Sequence, residues 1–215
     1  MTRELFDNAL RSLQDRILLM GSKVQEQLRL ANTALETLDQ GLAHRVVEQD
    51  REINRLRFEI EDECFLLIAT QAPVSSDLRL IVAAIHMIID IERMGDQVKG
   101  IGRLIPVLAN HPSIPRPAEL REMGALVDRM FSDTLRAFAE ENADLARSVT
   151  AQDDAVDQLY ALALQATLAQ MAQLQDPGDL QACYEILRAA RELERFGDLA
   201  ANVAERSISL VTGNA

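Results

Sequence analysis

The feature that most limits how this chain can fold is an internal repeat, because two similar halves must each form the same structural unit. Residues 20–50 resemble residues 123–153 at an offset of 103 positions. After a shift of one residue, the stretch DIERMGD at 90–96 matches ELERFGD at 192–198 at an offset of 102 positions. The sequence therefore predicts two copies of one fold in tandem.

Each half has the sequence pattern of long helices. Apolar residues recur at spacings of three and four, as on the buried face of an amphipathic helix. Helix ends are expected near Gly41, because glycine favours helix C-termini, and before Pro73, because the residue preceding a proline avoids helical geometry. We predict three helices in each half, spanning about 3–39, 42–71, 77–105, 118–148, 151–175 and 179–212.

The expected fold class is all-α, with six long antiparallel helices in two tandem homologous three-helix bundles. Residues 1–105 are predicted to form the first bundle and residues 118–215 the second. The segment between them, 106–117, holds four of the six prolines and is predicted to be a linker. Only 4% of the residues are aromatic, which favours packed helices over a β-sandwich.

The formal net charge of −12 argues against nucleic acid as a partner, because binding to phosphates needs a clustered basic face. Cys64 and Cys183 lack a CxxC neighbour and fit two reduced thiols of a cytoplasmic chain. The longest apolar run, at 80–89, is too short to cross a bilayer, and the first residues lack the apolar core of a signal peptide. We expect a cytoplasmic protein that reaches a membrane only through partners.

Two pairs of acidic residues, each four positions apart, occupy matching places in the third helix of each half. They are Glu92 with Asp96 and Glu194 with Asp198. Such pairs are commonly part of a solvated face, where their repulsion costs a few tenths of a kcal/mol. Both pairs continue an apolar stripe of their helix, so we predict that they point inward or into a shared groove.

The neighbours of these pairs have other predicted roles. Asp90 and Glu192 lie on the opposite side of their helices and are predicted to face water. Gly95 and Gly197 each cost about 1 kcal/mol relative to alanine in a helix interior. Either a close approach of two helices or space for a bound ion would explain these glycines.

A second set of polar residues lies in the middle helix of each half. Asp50 and Asn54 in the first half match Asp153 and Asp157 in the second. Antiparallel packing brings the start of the middle helix near the end of the third helix, so four oxygen-bearing side chains can converge in each bundle. Oxygen ligands without thiols suit hard or borderline ions such as magnesium, manganese or iron. The spacing predicts two candidate metal sites.

Other interpretations of these acids remain open. Arg93 and Arg195, next to the acidic pairs, could neutralise them in an internal network of salt bridges, or the acids could be solvated. A di-iron site of the ferritin type is disfavoured, because it uses Glu-x-x-His ligands and no histidine follows at that spacing. The sequence contains no nucleophile with a positioned histidine, no phosphate-binding glycine loop and no HExxH motif, so we do not expect an enzyme.

Two stretches carry a resemblance to a known family. SSDLRLIVAAIHMIIDIERMGDQV at 75–98 and RELERFGDLAANV at 191–203 place the E-R-x-G-D motif twice, one repeat apart. In this the chain resembles the PhoU phosphate-signalling regulators. The resemblance implies a cytoplasmic, often dimeric protein of two similar three-helix bundles that negatively regulates the phosphate regulon and phosphate uptake. Such proteins link the phosphate ABC transporter, through its ATPase PstB, to the sensor histidine kinase PhoR.

The resemblance also implies metal binding, because several PhoU proteins hold multinuclear clusters through E(D)-x-x-x-D motifs. The ion would be divalent or trivalent: iron, zinc, manganese or magnesium. Asn54 departs from the acidic pattern that its counterpart keeps, which puts the first site in doubt. A metal-storing or redox di-iron bundle and a metal-free helical adaptor are the alternative functions. The residues that match the family's metal-binding positions are Glu92, Asp96, Glu194, Asp198, Asp50, Asp153 and Asp157.

Overall fold

The computed structural model describes residues 3–213. These residues contain helices and short connections and no β-strand, which confirms the all-α prediction. Helices α1 to α3 form the first three-helix bundle. The second bundle contains α4 to α7, with α5 and α6 together in the place of α2. The seven helices are α1 (Arg3–Thr37), α2 (Gln40–Gln71), α3 (Ser75–Asn110), α4 (Ala118–Ala139), α5 (Ala143–Thr150), α6 (Asp153–Met171) and α7 (Pro177–Thr212).

The turn after the first helix is the same in both halves. Leu38 and Glu141, which are 103 positions apart, both adopt a positive φ, of 55° and 50°. The next residue caps the following helix in each case: the Asp39 side chain accepts from the Leu42 N–H and the Asn142 side chain from the Leu145 N–H, both at 3.0 Å. The prediction of one helix over 118–148 is therefore wrong, because this turn divides that segment.

Helix α3 extends five residues beyond its predicted end. Pro106 lies inside the helix, which ends at Asn110. A proline removes one backbone hydrogen bond and strains the helix, so other interactions must maintain it. The buried side chains of Leu104, Ile105 and Leu108 hold this segment against the core. The non-helical connection to α4 is consequently confined to residues 111–117.

The two bundles pack against each other with approximate twofold symmetry. The third helices of the two halves, α3 and α7, lie along one another, and α1 contacts α4. At the α1–α4 contact, Gly21 faces Leu135 and Gly124 faces Asn32, and the two contacts are equivalent because Gly124 matches Gly21 and Leu135 matches Asn32 at the offset of 103. The Asn32 side-chain amide donates a hydrogen bond to the Gly124 carbonyl at 3.0 Å.

The core of the second bundle is centred on α7. The rings of Phe131 and Phe196 pack edge to face, with centroids 5.4 Å apart and planes at 87°. Both side chains are fully buried. Among the described residues, no helix has the length and apolar character needed to cross a membrane.

Candidate functional site

The second bundle brings together three of its four predicted acidic residues. Asp157 in the first turns of α6 and Glu194 and Asp198 on α7 offer carboxylate oxygens that all lie within 4.8 Å of one another. Val156 and Gly197 meet where α6 crosses α7, and this close approach holds the carboxylates in place. The packing of the two helices thus builds an acidic cluster, which we call the second cluster and which includes Asp153, one turn earlier on α6.

Two oxygen atoms of the second cluster are buried without a hydrogen-bond partner in the described part of the chain. They are Oδ1 of Asp153 and Oε2 of Glu194. Glu194 is only 9% exposed, and its other oxygen accepts a hydrogen bond from Arg191 at 2.8 Å. A buried carboxylate oxygen without a partner destabilises the folded state. Binding of a proton or a cation at these atoms would remove that cost.

The carboxyl groups of the second cluster bind protons more tightly than usual. Burial raises the pKa of Glu194, and the neighbouring Asp198 raises it further. Burial, followed by the charge of Asp157, raises the pKa of Asp198. The pKa of Asp153 is also raised, by burial first and then by the charges of Asp198 and Asp157. Burial and mutual repulsion therefore outweigh the attraction of Arg191 and Arg195, which lowers the pKa values of Glu194 and Asp198 in part.

The donor set of the second cluster fits a hard metal ion. Carboxylate oxygens are the ligands that magnesium and manganese prefer, and iron also accepts them. Zinc fits less well, because its structural sites are built mainly from cysteine and histidine. Asp157, Glu194 and Asp198 would be the ligands, and Asp153 would add a fourth carboxylate nearby.

The equivalent residues of the first bundle are arranged differently. The Lys99 ammonium lies between two carboxylates, 2.6 Å from Oδ2 of Asp50 and 3.1 Å from Oδ1 of Asp96. The Asn54 amide donates a second hydrogen bond to Oδ2 of Asp50, at 2.9 Å. Hydrogen bonds to the two aspartates raise the pKa of Lys99, so the lysine stays charged at neutral pH. We call Asp50, Asn54, Glu92, Asp96 and Lys99 the first cluster.

The carboxylates of the first cluster converge less than those of the second. Within residues 3–213, Asp50, Glu92 and Asp96 do not bring three oxygens within 4.8 Å of one another. Burial raises the pKa of Glu92, as does the charge of Asp96. The acids of the first cluster are thus near one another, as predicted, but a side chain of the protein supplies the positive charge.

The predictions for Asp90 and Glu192 are wrong. Asp90 is buried and pairs with Arg206 of α7, its Oδ2 lying 3.2 Å from Nε. Glu192 is half-buried, and its carboxyl group lies against Gly100 of α3. The sides of α3 and α7 that a single helical pattern assigns to solvent face the other bundle instead.

The two arginines of the repeated motif do not form the predicted salt bridges with the acidic pairs among the described residues. Arg93 lies 3.8 Å from Asp90 rather than against Glu92 or Asp96. Arg195 is exposed and, with Arg93, lines a cavity of about 250 Å³ between α3 and α7.

The repeated glycines are explained by close packing. A Cβ on Gly95 would lie 3.3 Å from Ile53 of α2, and one on Gly197 would lie 3.4 Å from Val156 of α6. Of the two explanations considered, the close approach of helices is the one that the geometry supports.

Sequence reasoning missed three interactions that shape this region. Lys99 follows Asp96 by three residues, so the helical period could have placed it beside the acidic pair. The Asp90–Arg206 pair joins distant parts of the chain and has no local signal. The third is a hydrogen bond between Nδ1 of His111 and Oδ1 of Asp179, 3.0 Å apart, which connects the end of α3 to the start of α7.

The second cluster should make the stability of the metal-free protein depend on pH. Because the folded state raises the pKa of Glu194 and Asp198, it binds more protons than the unfolded state in the range between the raised and the ordinary values. Their contribution to stability should therefore increase as the pH falls from 7 to about 5. Urea unfolding in the presence of a chelator, at both pH values, measures this change.

The matched variant Glu194→Gln/Asp198→Asn removes both titrating groups and keeps their shape. We expect it to be more stable than the wild type at pH 7 and to gain less stability on acidification. An identical pH dependence of stability in the two proteins would show that Glu194 and Asp198 are not the groups responsible for it.

Comparison with known proteins gives a consistent family relationship. The PhoU domain model matches twice, over residues 17–105 and 120–207. The "phosphate-specific transport system accessory protein PhoU homolog" of Pseudomonas putida is 38% identical over 209 residues, covering 97% of this chain and 81% of that protein. The homolog of the same name from Clostridium acetobutylicum is 35% identical over 214 residues, covering 99% and 97%.

Solved structures show the same architecture. The crystal structure of PhoU from Pseudomonas aeruginosa superposes with a TM-score of 0.92 at 38% identity and covers 97% of this chain and 99% of its own. The phosphate transport system regulatory protein PhoU from Streptococcus pneumoniae gives a TM-score of 0.89 at 31% identity, covering 97% of both chains.

Proposed function

Because the chain belongs to the PhoU family, we propose that it is an accessory regulatory protein of a phosphate-specific transport system and a negative regulator of the phosphate regulon. The observation that carries the proposal is the similarity to PhoU homologs across both repeats and nearly the whole chain. Family members bear the names of accessory and regulatory proteins, so the role is one of binding rather than catalysis.

The finer proposal concerns partners. The protein docks onto the PstB-type ATPase of the phosphate transporter and onto a PhoR-type sensor histidine kinase, and thereby couples transport to signalling. It acts at the cytoplasmic face of the membrane as a homodimer. Large apolar side chains on the surface of α2, including Phe58, Phe65 and Leu66, are available for protein contacts.

A second part of the proposal is that the protein binds a divalent or trivalent metal ion at the second cluster. Support comes from the three carboxylates within 4.8 Å of one another and from the buried, unpartnered oxygens of Asp153 and Glu194. A cation there would relieve the repulsion that raises the pKa values of the cluster.

The docking proposal is tested by binding. The purified protein is immobilised and incubated with the PstB-type ATPase and, separately, with the PhoR-type kinase of the same organism, at high and low phosphate, with and without metal. We expect each partner to be retained under at least one of these conditions. Absence of binding under all of them would overturn the docking proposal.

The metal proposal is tested by elemental analysis of the wild type and of the variant Asp157→Asn/Glu194→Gln/Asp198→Asn. We expect bound metal in the wild type and none in the variant. A matched control changes three exposed acids outside the cluster in the same way and should keep its metal; these are Asp15→Asn, Asp62→Asn and Glu122→Gln. Equal metal content in the wild type and the cluster variant would refute metal binding at this site.

The alternative functions give different results in the same assays. A redox di-iron protein would consume oxygen when ferrous iron is added, and the absence of histidine from the second cluster argues against it. A metal-free adaptor would bind its partners in the presence of a chelator and carry no metal. Partner binding that depends on the second cluster would exclude that adaptor.

A further inference from the structure

The two clusters differ at two matched positions. Asn54 in the first cluster occupies the place of Asp157 in the second, at an offset of 103. Lys99 occupies the place of Ala201, at an offset of 102. The remaining acids are conserved between the repeats as the pairs Asp50/Asp153, Glu92/Glu194 and Asp96/Asp198. The first repeat therefore has an amide and an ammonium group where the second has a carboxylate and a methyl group.

We propose that Lys99 is the resident cation of the first cluster, so that Lys99 and Asn54 together confine metal binding to the second cluster. This inference rests on the metal binding proposed above for that cluster. It assigns to one chain a single metal-binding bundle and a matching bundle whose charge is balanced by the protein itself.

The position of the ammonium group supports this assignment. Nζ of Lys99 is in hydrogen-bond contact with Asp50 and Asp96 at once, at 2.6 Å and 3.1 Å. The Asp50 side chain is only 6% exposed, so its charge needs a nearby partner, and Lys99 provides it. A metal ion bridging these two carboxylates would have to displace Nζ and leave a second positive charge beside it.

The side-chain amide of Asn54 also disfavours a metal ion at the first cluster. Its nitrogen donates to the Asp50 oxygen that also accepts from Lys99, at 2.9 Å. An amide donor in this position uses an electron pair that a metal ion would need. The aspartate at the matching position in the second cluster can only accept hydrogen bonds or bind a cation.

Arg191 does not play the part of Lys99 in the second cluster. Among the described residues its one salt bridge is to Oε1 of Glu194, at 2.8 Å, and its side chain is half-exposed at 50%. Oε2 of Glu194 and Oδ1 of Asp153 remain buried and without a partner in the described chain. The first cluster also has one such atom, Oδ1 of Asp50, but there the ammonium group of Lys99 already supplies a cation, whereas the second cluster keeps carboxylate ligands for an added one.

The test exchanges the matched residues between the repeats. The full chain is stripped of metal with a chelator, and binding of Mn²⁺ is measured by calorimetry and by elemental analysis after desalting. Lys99→Ala/Asn54→Asp gives the first cluster the residues of the second, and we expect it to bind about twice as much Mn²⁺ per chain as the wild type. Ala201→Lys brings an ammonium group to the second cluster, and we expect it to lose Mn²⁺ binding.

Two control variants test whether the changes in Mn²⁺ binding are specific to the exchanged residues. Lys23→Ala removes the other lysine of the chain, which forms a surface pair with Glu52, and should leave Mn²⁺ binding unchanged. Glu92→Gln/Asp96→Asn removes carboxylates of the first cluster without adding bulk, and it should also leave binding unchanged. Circular dichroism establishes that each variant is folded. If Ala201→Lys does not fold, Lys99→Ala/Asn54→Asp and Glu92→Gln/Asp96→Asn still test the proposal.

The outcomes separate this inference from the metal proposal. If the wild type binds Mn²⁺ and Glu92→Gln/Asp96→Asn reduces the amount, the first cluster holds metal and the inference is overturned, while metal binding by the protein stands. The inference is also overturned if Lys99→Ala/Asn54→Asp binds no more Mn²⁺ than the wild type. If the wild type binds none and only Lys99→Ala/Asn54→Asp does, the blocking role of Lys99 stands and the metal proposal fails.

Discussion

Replacing Lys99 with alanine is expected to lower the free energy of unfolding of the metal-free protein by about 3 kcal/mol, because it leaves a buried carboxylate without its counter-charge. Asp50 would retain only the hydrogen bond from Asn54 on one oxygen, and its Oδ1 already lacks a partner among the described residues. Asp96, which is half-exposed, would be solvated and should contribute little to the loss. Urea unfolding of the metal-free proteins measures the difference.

Two further variants separate the lost charge from the lost side chain. Lys23→Ala should change the stability by less than about 1 kcal/mol, because its ion pair with Glu52 is on the surface. Lys99→Met/Asp50→Asn removes both charges and keeps most of the volume, so it should recover much of the stability lost in Lys99→Ala. If Lys99→Ala and Lys23→Ala were equally stable, Lys99 would not be the counter-charge of Asp50.

Replacing Phe196 with alanine is expected to cost about 3–5 kcal/mol, the usual penalty for emptying the space of a fully buried aromatic side chain. Phe196 lies between Glu194 and Asp198 in sequence and packs edge to face on Phe131. The ring lies on the side of α7 opposite the acidic pair and holds this helix, which carries Glu194 and Asp198, against α4. Chemical unfolding measures the loss, and weaker metal binding should accompany it.

The first repeat supplies a conservative replacement for this aromatic side chain. The residue matched to Phe196 is Met94, which is also fully buried, so Phe196→Met should cost less than about 1.5 kcal/mol. Phe65→Ala, at a site 55% exposed, should change stability by about 0.5 kcal/mol or less. A loss in Phe196→Ala no greater than that in Phe65→Ala would show that the ring does not organise the second bundle.

Most of the fold could be predicted because its signals are long. Apolar periodicity over some 30 residues specifies a helix, and repetition of the pattern specifies two similar bundles. The break between α4 and α5 was not predicted, because it depends on only two residues, a glutamate with positive φ and the cap Asn142. The continuation of α3 past Pro106 was not predicted, because tertiary packing there overrides the local effect of proline.

The candidate site could be predicted in part, for a related reason. Residues in line with an apolar stripe do come together in each bundle, so the acidic clusters form where the helical period places them, although Asp96 and Asp198 remain exposed to solvent. Asp90 and Glu192 were assigned to solvent because a helical pattern identifies one buried side, whereas α3 and α7 each have two. The difference between the clusters could have been recognised by extending the comparison of the repeats to Lys99 and Ala201.

The buried pair between Asp90 and Arg206 bears on how the chain avoids misassembly. Its two members are not symmetric: the residue of α3 that matches Arg206 is Leu104. If α3 paired with the α3 of a second molecule in the way that it pairs with α7, each Asp90 carboxylate would meet a leucine and keep only the longer contact with Arg93, at 3.8 Å, which would destabilise that pairing. A chain with two similar halves is open to such exchange between molecules, and this single ion pair favours closure of each chain on itself.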